Sequence, residues 1–318
     1  MTIHLEFDWG TLLLSEPKGS DDLSQLKLPE TSFDPRINRW RAPACAYRPV
    51  ILALRHAGLE YEDQARAYEE LPLPLKISRE PFPYQTEALQ VWWKRGQTGV
   101  VVLPTGAGKT FVAQLIMQKV GRSALVVTPT LDLMHQWYSV LGAAFDQEVG
   151  LIGGGEYDVR TLTVCTYDSA YLHLDRLGNR FGLIVFDECH HLPGESYSLA
   201  AEACLAPFRL GLTATPERAD GGHHKYPRLI GPIVYRQEIK ELAGDYLSDY
   251  QTVVLKVKLT EAEQEAYQRE RGLYREFLQQ NNIRLSSNQD WAKFLALTSR
   301  SSEGRRALEA FRNQRVIA

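Results

Sequence analysis

Hydrophobic positions change their rhythm along the chain. In residues 79–240, short unbroken apolar runs ("GVVVL", "ALVVT", "TLTVCT", "LIVFD", "RLGLT") alternate with the longer stretches "KTFVAQLIMQKVG" and "LDLMHQWYSVLGAAF", where apolar residues return every three or four positions. Unbroken runs suit strands buried on both faces, and the three-to-four return marks helices with one buried stripe. An α/β fold with a parallel sheet and helices on both faces is therefore expected. Residues 1–78 open with strand-like alternation, loosen through "SEPKGSDDLSQLKLPE", and carry a helix over "YRPVILALRHAG", with Pro49 near its first turn and Gly58 at its end. That is a small mixed α/β domain. Within 246–318, "YQTVVLKVKL" reads as a strand, and 260–280 and 289–313 read as charged amphipathic helices. No repeat or low-complexity segment interrupts this three-part order, 1–78, 79–245 and 246–318.

Composition narrows the class only modestly. With 318 residues, 44% hydrophobic and 24% charged, the chain is that of an ordinary folded protein of about two domains. Its apolar runs are too short to span a bilayer, and "MTIHLEFDWG" lacks the basic start and apolar stretch of a signal peptide. A cytoplasmic location without a membrane partner is expected. Cys45, Cys165, Cys189 and Cys204 stand singly in apolar surroundings, which suits reduced, mostly buried thiols. The net charge of −3 is spread evenly, so no polybasic arm announces nucleic acid.

Chemistry enters where the first strand of the parallel region ends, at "VVLPTGAGKTF". Thr105, Gly106, Ala107 and Gly108 form a turn whose glycines let backbone N–H groups point at phosphate, and Lys109-Thr110 opens the next helix. This is a phosphate cradle for ATP: Lys109 reaches the β- and γ-phosphates and Thr110 ligates Mg²⁺. The strict pattern wants glycine where Leu103 stands, and a chance glycine-rich turn is the bland alternative. A second stretch, "LIVFDECHHLPGES", holds five potential metal ligands in succession, Asp187 to His191. Successive side chains of an extended segment point to opposite faces, which suits a single zinc ion poorly. An acidic pair at the carboxyl end of a parallel strand instead fits Asp187 as the Mg²⁺ carboxylate and Glu188 as the group acting on the attacking water. His190 is then a candidate for coupling nucleotide state to a neighbouring strand, whereas His191 reads as a surface or capping residue.

With these motifs in place the chain resembles a superfamily 2 helicase with a RecA-like P-loop NTPase fold. "PYQTEAL" resembles the adenine-reading Q motif, with Tyr84 and Gln85; "TPTLDLMHQW" resembles motif Ia, with Thr130; "GGG" at 153–155, including Gly154, and "CTYDS", including Thr166, resemble motifs Ib and Ic. "GLTATPERADG" resembles motif III, with Thr213 and Thr215 in a coupling role. Taken singly, "GGG" is more often a turn and Trp92-Trp93 more often packing than a base platform. Within the superfamily, "FDPRINRWRAPACAYRPVILALRHAGLEYED" and "ATPERADG" resemble the XPB-like helicases of archaea and bacteria. The resemblance implies a damage-recognition module in 1–78 and a first motor lobe in 79–245. It also implies an Arg-Glu-Asp triplet after motif III that acts on DNA. Here the triplet reads Arg218, Ala219, Asp220, so only Arg218 and Asp220 carry over.

The implied function is the N-terminal half of an ATP-dependent 3′-to-5′ DNA helicase or translocase. It would bind Mg·ATP and, without regard to sequence, DNA at Thr130, Gly154 and Thr166, with a nuclease or repair protein as a possible partner. "SEGRRALEAFR" departs from the arginine motif of a second lobe, because Ser301 and Leu308 replace the required Gln and Arg. Residues 246–318 are accordingly expected to lead towards a second motor lobe not included here. The rival reading is a non-catalytic, nucleotide-dependent DNA- or partner-binding module. A restriction-type or RNA translocase is a narrower alternative.

Overall fold

A computed structural model of the chain describes residues 2–15, 23, 26–218, 220–244, 246, 258–283, 288–299 and 301–317. The expected strand at 250–259 falls almost wholly outside the described residues, as does Ala219. Two compact bodies are present, Met1–Asp249 and Tyr250–Ala318.

The first body opens with β1 (Thr2–Asp8), β2 (Thr11–Ser15), β3 (Ser32–Asp34), β4 (Arg39–Pro43) and β5 (Glu60–Asp63), in the order β3-β4-β2-β1-β5. Alternation in β1 buries Ile3 and Leu5 while His4 and Glu6 stay partly exposed, the period-2 signature of a half-buried strand. Trp9 and Gly10 make the β1–β2 turn, both with positive φ (45° and 75°), as a two-residue hairpin of this twist requires. A Cβ on Gly10 would lie 2.8 Å from Ala203 Cβ, so glycine also permits close packing there. Helix α1 (Tyr47–His56) lays Val50 and Leu54 into this core, and Gly58 follows it with φ 68°. Leu205, distant in sequence, completes the same cluster.

The second sheet comprises β6 (Thr98–Val102), β7 (Ala124–Thr128), β8 (Val149–Gly153), β9 (Glu156–Tyr157), β10 (Leu162–Thr166), β11 (Leu183–Phe186), β12 (Phe208–Thr213) and β13 (Ile233–Arg236). Its order is β13-β6-β12-β11-β7-β10-β8-β9, parallel except for the β8–β9 hairpin. Its longer helices are α2 (Pro83–Lys94), α3 (Lys109–Val120), α4 (Leu131–Phe145), α5 (Tyr167–Leu177) and α6 (Glu195–Ala203). Val126 and Val185 pack into a core with Trp92, Met117 and Trp137, while Leu125, Val127 and Ile184 pack into a separate core with Ala170, Leu174 and Ala200. Two covered faces explain the unbroken apolar runs. Leu103 continues β6, its N–H donating to the Thr213 carbonyl (3.1 Å), and its side chain is buried; glycine there would forgo that packing. Trp92 is wholly buried and donates to the Arg209 carbonyl (3.1 Å), so it is a packing residue. The apolar rhythm missed β8, β9 and β13, short strands at or near the two edges of the sheet.

The second body contains α7 (Glu261–Gln280), α8 (Asn288–Thr298) and α9 (Ser302–Ile317) around Phe277 and Phe294. A capping box of Thr260 and Glu263 starts α7. The expected single helix at 289–313 is two helices. Ser301 Oγ accepts from Gly304 N–H (2.9 Å), capping a new start. Gly304 sits against the end of α8, where a Cβ would lie 2.6 Å from Thr298 Cα. Among the described residues no helix is long and apolar enough to cross a membrane.

Candidate nucleotide and nucleic-acid site

The parallel sheet sends its carboxyl ends to one edge, and the motif residues collect there. The loop after β6 turns through Gly106 (φ 84°) and Gly108 (φ 77°) before α3 begins at Lys109. At Gly108 a side chain is excluded twice, by φ and because a Cβ would lie 2.5 Å from Gln85 Nε2. Lys109 Nζ donates to the Leu103 and Pro104 carbonyls (3.3 and 3.4 Å), both neutral groups of its own loop. Thr105 and Gly106 are exposed, Ala107 is buried, and Thr110 is partly buried in the first turn of α3. Backbone amides at a helix start, beside an ammonium held by neutral carbonyls, form a site for an anion.

Gln85 is wholly buried. Its Oε1 accepts from Phe82 N–H (3.0 Å) and its Nε2 donates to the Ala107 carbonyl (3.0 Å), where Tyr84 OH also donates (2.8 Å). In this conformation α2 therefore braces the glycine loop, a role that the adenine-reading expectation did not contain.

Asp187 and Glu188 end β11, two strands away from β6 in the sheet. Asp187 is 8% exposed. Its Oδ2 accepts from Trp137 Nε1 (2.8 Å) and its Oδ1 from Glu188 N–H (3.1 Å). Burial raises its pKa, an effect opposed by the Trp137 bond and by the charge of Lys109. Glu188 holds a left-handed backbone (φ 44°, ψ 53°), uncommon for a residue with a Cβ and of the kind that marks functional turns. Its Oε2 lies 3.4 Å from both Thr213 Oγ1 and His190 Nδ1, and His190 Nδ1 and Thr213 Oγ1 are 3.0 Å apart. Thr213 Oγ1 also accepts from Thr215 N–H (3.1 Å). Glu188, His190, Thr213 and Thr215 thus form one polar chain joining the acidic box to the end of β12.

Cys189 and His191 stand outside this polar chain. Cys189 is wholly buried, its thiol pushed up by burial, and the His191 ring lies tilted against that of His190, their centroids 4.4 Å apart. Among the described residues no three His, Cys, Asp or Glu side chains are arranged to hold a metal together. Arg218 donates to the His190 carbonyl and grips Asp220 through two bonds (2.9 and 2.6 Å), while Asp220 Oδ1 accepts from Gly222 N–H (2.9 Å). The triplet's two charged members therefore pair with each other.

Thr130 and Thr166 are N-caps. Thr130 Oγ1 accepts from Leu133 N–H (3.3 Å) at the start of α4, and Thr166 Oγ1 from Ser169 N–H (3.2 Å) at the start of α5. Gly154 and Gly155 form the β8–β9 turn, with φ of 63° and 96°. These three loops share the carboxyl edge of the sheet. Trp137, Tyr84 and Tyr167, which donates to the Asp187 carbonyl (3.0 Å), support the site in ways the motifs alone did not show.

A family profile described as "Xeroderma pigmentosum group B helicase damage recognition domain" matches residues 5–65, and one described as "Type III restriction enzyme, res subunit" matches 78–218. The chain is 41% identical over 297 residues to the DNA 3'-5' translocase XPB2 of Sulfurisphaera tokodaii, covering 93% of this chain and 67% of that protein. It is 36% identical over 197 residues to the DNA 3'-5' helicase XPB of Kineococcus radiotolerans, covering 58% and 35%. With the DNA 3'-5' helicase XPB of Mycobacterium tuberculosis it shares 32% identity over 225 residues, covering 66% and 41%. The chain thus spans about two thirds of the first relative and less than half of the other two.

Proposed function

Because the chain belongs to the XPB-like helicases of superfamily 2, we propose that it forms the ATP-binding and DNA-engaging front part of an ATP-dependent 3′-to-5′ DNA helicase or translocase. Residues 1–78 would be its damage-recognition module, 79–245 its first motor lobe, and 246–318 the connection towards a second. The observation that carries the reading is the acidic pair beside the glycine cradle, joined to β12 through Glu188, His190 and Thr213.

In the proposed mechanism, Lys109 and the loop amides hold the β- and γ-phosphates of ATP, and Gln85 fixes the loop that presents them. Thr110 and Asp187 would hold Mg²⁺, which when bound neutralises charge developing between the phosphates. The donor set suits it, since a hydroxyl and a carboxyl group are the oxygen donors that Mg²⁺ takes from proteins. Glu188 orients the attacking water and receives its proton, and the 3.4 Å contact to Thr213 lets β12 register that change. A DNA strand would lie over the loops of Thr130, Gly154 and Thr166, where cap hydroxyls and free amides contact phosphates without reading bases.

The test separates binding from hydrolysis. Lys109→Ala should abolish Mg·ATP binding, whereas Glu188→Gln should retain it and lose phosphate release. Equal loss of binding in both would refute this division of roles. In the same titrations Gln85→Ala should weaken ATP and GTP alike if it braces the loop; loss of the ATP preference alone would make it a base reader.

A further inference from the structure

A cleft of about 280 Å³ opens where α1 meets the amino ends of β6, β7 and β12, at the edge of the sheet opposite the phosphate loop. Arg48 and Arg55 of α1, Arg66 after β5, and Arg122 before β7 line it, against one lining carboxylate, Asp63. Guanidinium groups alternate with rings. Arg48 and Arg122 lie over Phe208, 5.5 and 4.7 Å from its centroid, and Arg122 also lies 5.1 Å from that of Tyr68. Arg55 lies 5.9 Å from the Tyr61 centroid and donates to its hydroxyl (2.7 Å).

The partners of these charges distinguish the cleft from structural glue. Elsewhere between the first sheet and the motor, Arg228 is held by two carboxylates, Glu30 and Glu202. In the cleft Arg122 has Glu70 (2.7 Å), and Arg66 reaches Asp63 and Glu70 only at 3.5 and 3.8 Å. Arg48 donates to neutral acceptors, Gln97 Oε1 (2.8 Å) and the Pro207 carbonyl (3.2 Å), although it is partly buried near the charge of Arg122. The Tyr61 hydroxyl that accepts from Arg55 is neutral as well. Arg48, a partly buried cation whose bonds go to neutral groups, favours an incoming anion, as does exposed Arg55 beside it, and the guanidinium fork matches phosphate oxygens in pairs.

We propose that this cleft binds the phosphodiester backbone of single-stranded nucleic acid, as a contact separate from the motor loops. Arg55 and Arg66 are exposed while Arg48 and Arg122 lie deeper, so the positive surface runs from solvent inward. A chain of phosphates can follow such a surface, whereas a single free phosphate uses one point of it. Aromatic edges beside a basic groove are the usual equipment for holding a strand without regard to sequence. Strands of five or six residues span roughly 17–20 Å, which keeps this contact well away from the carboxyl-edge loops. The choice of a nucleic-acid strand rests on the DNA-engaging reading above; the charge arrangement does not.

The test titrates the full chain with a fluorescein-labelled oligothymidine across a salt series, following anisotropy. Arg48→Gln and the exposed pair Arg55→Gln/Arg66→Gln should each weaken binding about tenfold, and flatten the plot of log K against log salt by about 0.7 for each phosphate no longer neutralised. Mg·ATP affinity should not change, which also verifies that the Arg48 variant is folded, and a 5-iodouracil oligonucleotide should crosslink to Tyr61 or Tyr68. Unchanged affinity and slope in both variants would overturn the proposal. So would displacement of the oligonucleotide by poly-glutamate of equal charge, which would indicate an acidic protein segment, or by inorganic phosphate alone. If the arginine variants lose the strand while wild-type protein binds no nucleotide, the cleft stands and the motor reading fails.

Discussion

The Asp187 carboxyl group receives its two hydrogen bonds from donors at very different sequence distances. Glu188 N–H is adjacent, whereas Trp137 Nε1 lies 50 residues back on α4. Trp137→Phe keeps an aromatic ring in the core and removes the donor. A bond to a buried charged group contributes about 1.5–3 kcal/mol, so this variant should melt at lower temperature and bind Mg·ATP more weakly. Calorimetry and nucleotide titration measure both, and a variant unchanged in each would show that the bond does not support the site. The loop and the acidic pair were legible in the sequence because each is a contiguous motif tied to the end of a strand. Trp137 stood in the motif Ia stretch, but its indole donor could be assigned to Asp187 only once β7 and β11 were neighbours. Gln85 shows the same limit, because its partner, the Ala107 carbonyl, is a backbone atom that no residue pattern marks.

Among the elements, helices and central strands followed their apolar rhythm, and the failures have local causes. The break between α8 and α9 rests on Ser301 and Gly304, in a stretch whose charged and apolar positions continue a helical period on both sides. At the β3–β4 hairpin, the Asp34 carboxylate accepts from Arg36 through Nε (2.9 Å), Nη2 (2.7 Å) and the backbone N–H (3.1 Å). The Arg36 side chain, followed by its backbone N–H and the nearby arginine charges, holds this carboxyl down at about 2, below the ordinary 3.8. A carboxyl with a lowered folded pKa stabilises the fold above the ordinary value, and that contribution is lost as pH falls through the folded one. Asp34→Asn should therefore lower the melting temperature at neutral pH, and the gap to wild type should narrow as pH falls from 3.8 towards about 2. A gap constant across that window would assign the effect to shape alone.

At the largest scale, within Met1–Asp249, the first sheet and the elements around the second share apolar contacts as well as hydrogen bonds. Leu205, at the end of α6, is wholly buried in the core of the first sheet, and Gly10 abuts Ala203 beside it. The segment between the two sheets is fastened to the ends of α3 and α4, with Leu71 N–H donating to the Gly121 carbonyl (2.9 Å) and Lys76 N–H to that of Ala144 (2.8 Å). Leu205→Ala should cost about 2–5 kcal/mol. It should also speed amide exchange in β1 and β2 together with α6; faster exchange confined to α6 would show that the first sheet stands alone. The same leucine sets an order of events during synthesis. Chains grow at about 5–20 residues per second, so β5 is made roughly 7–30 seconds before Leu205. Through that interval the first sheet lacks one buried residue of its core. Its final packing must therefore wait until most of the second sheet has been translated.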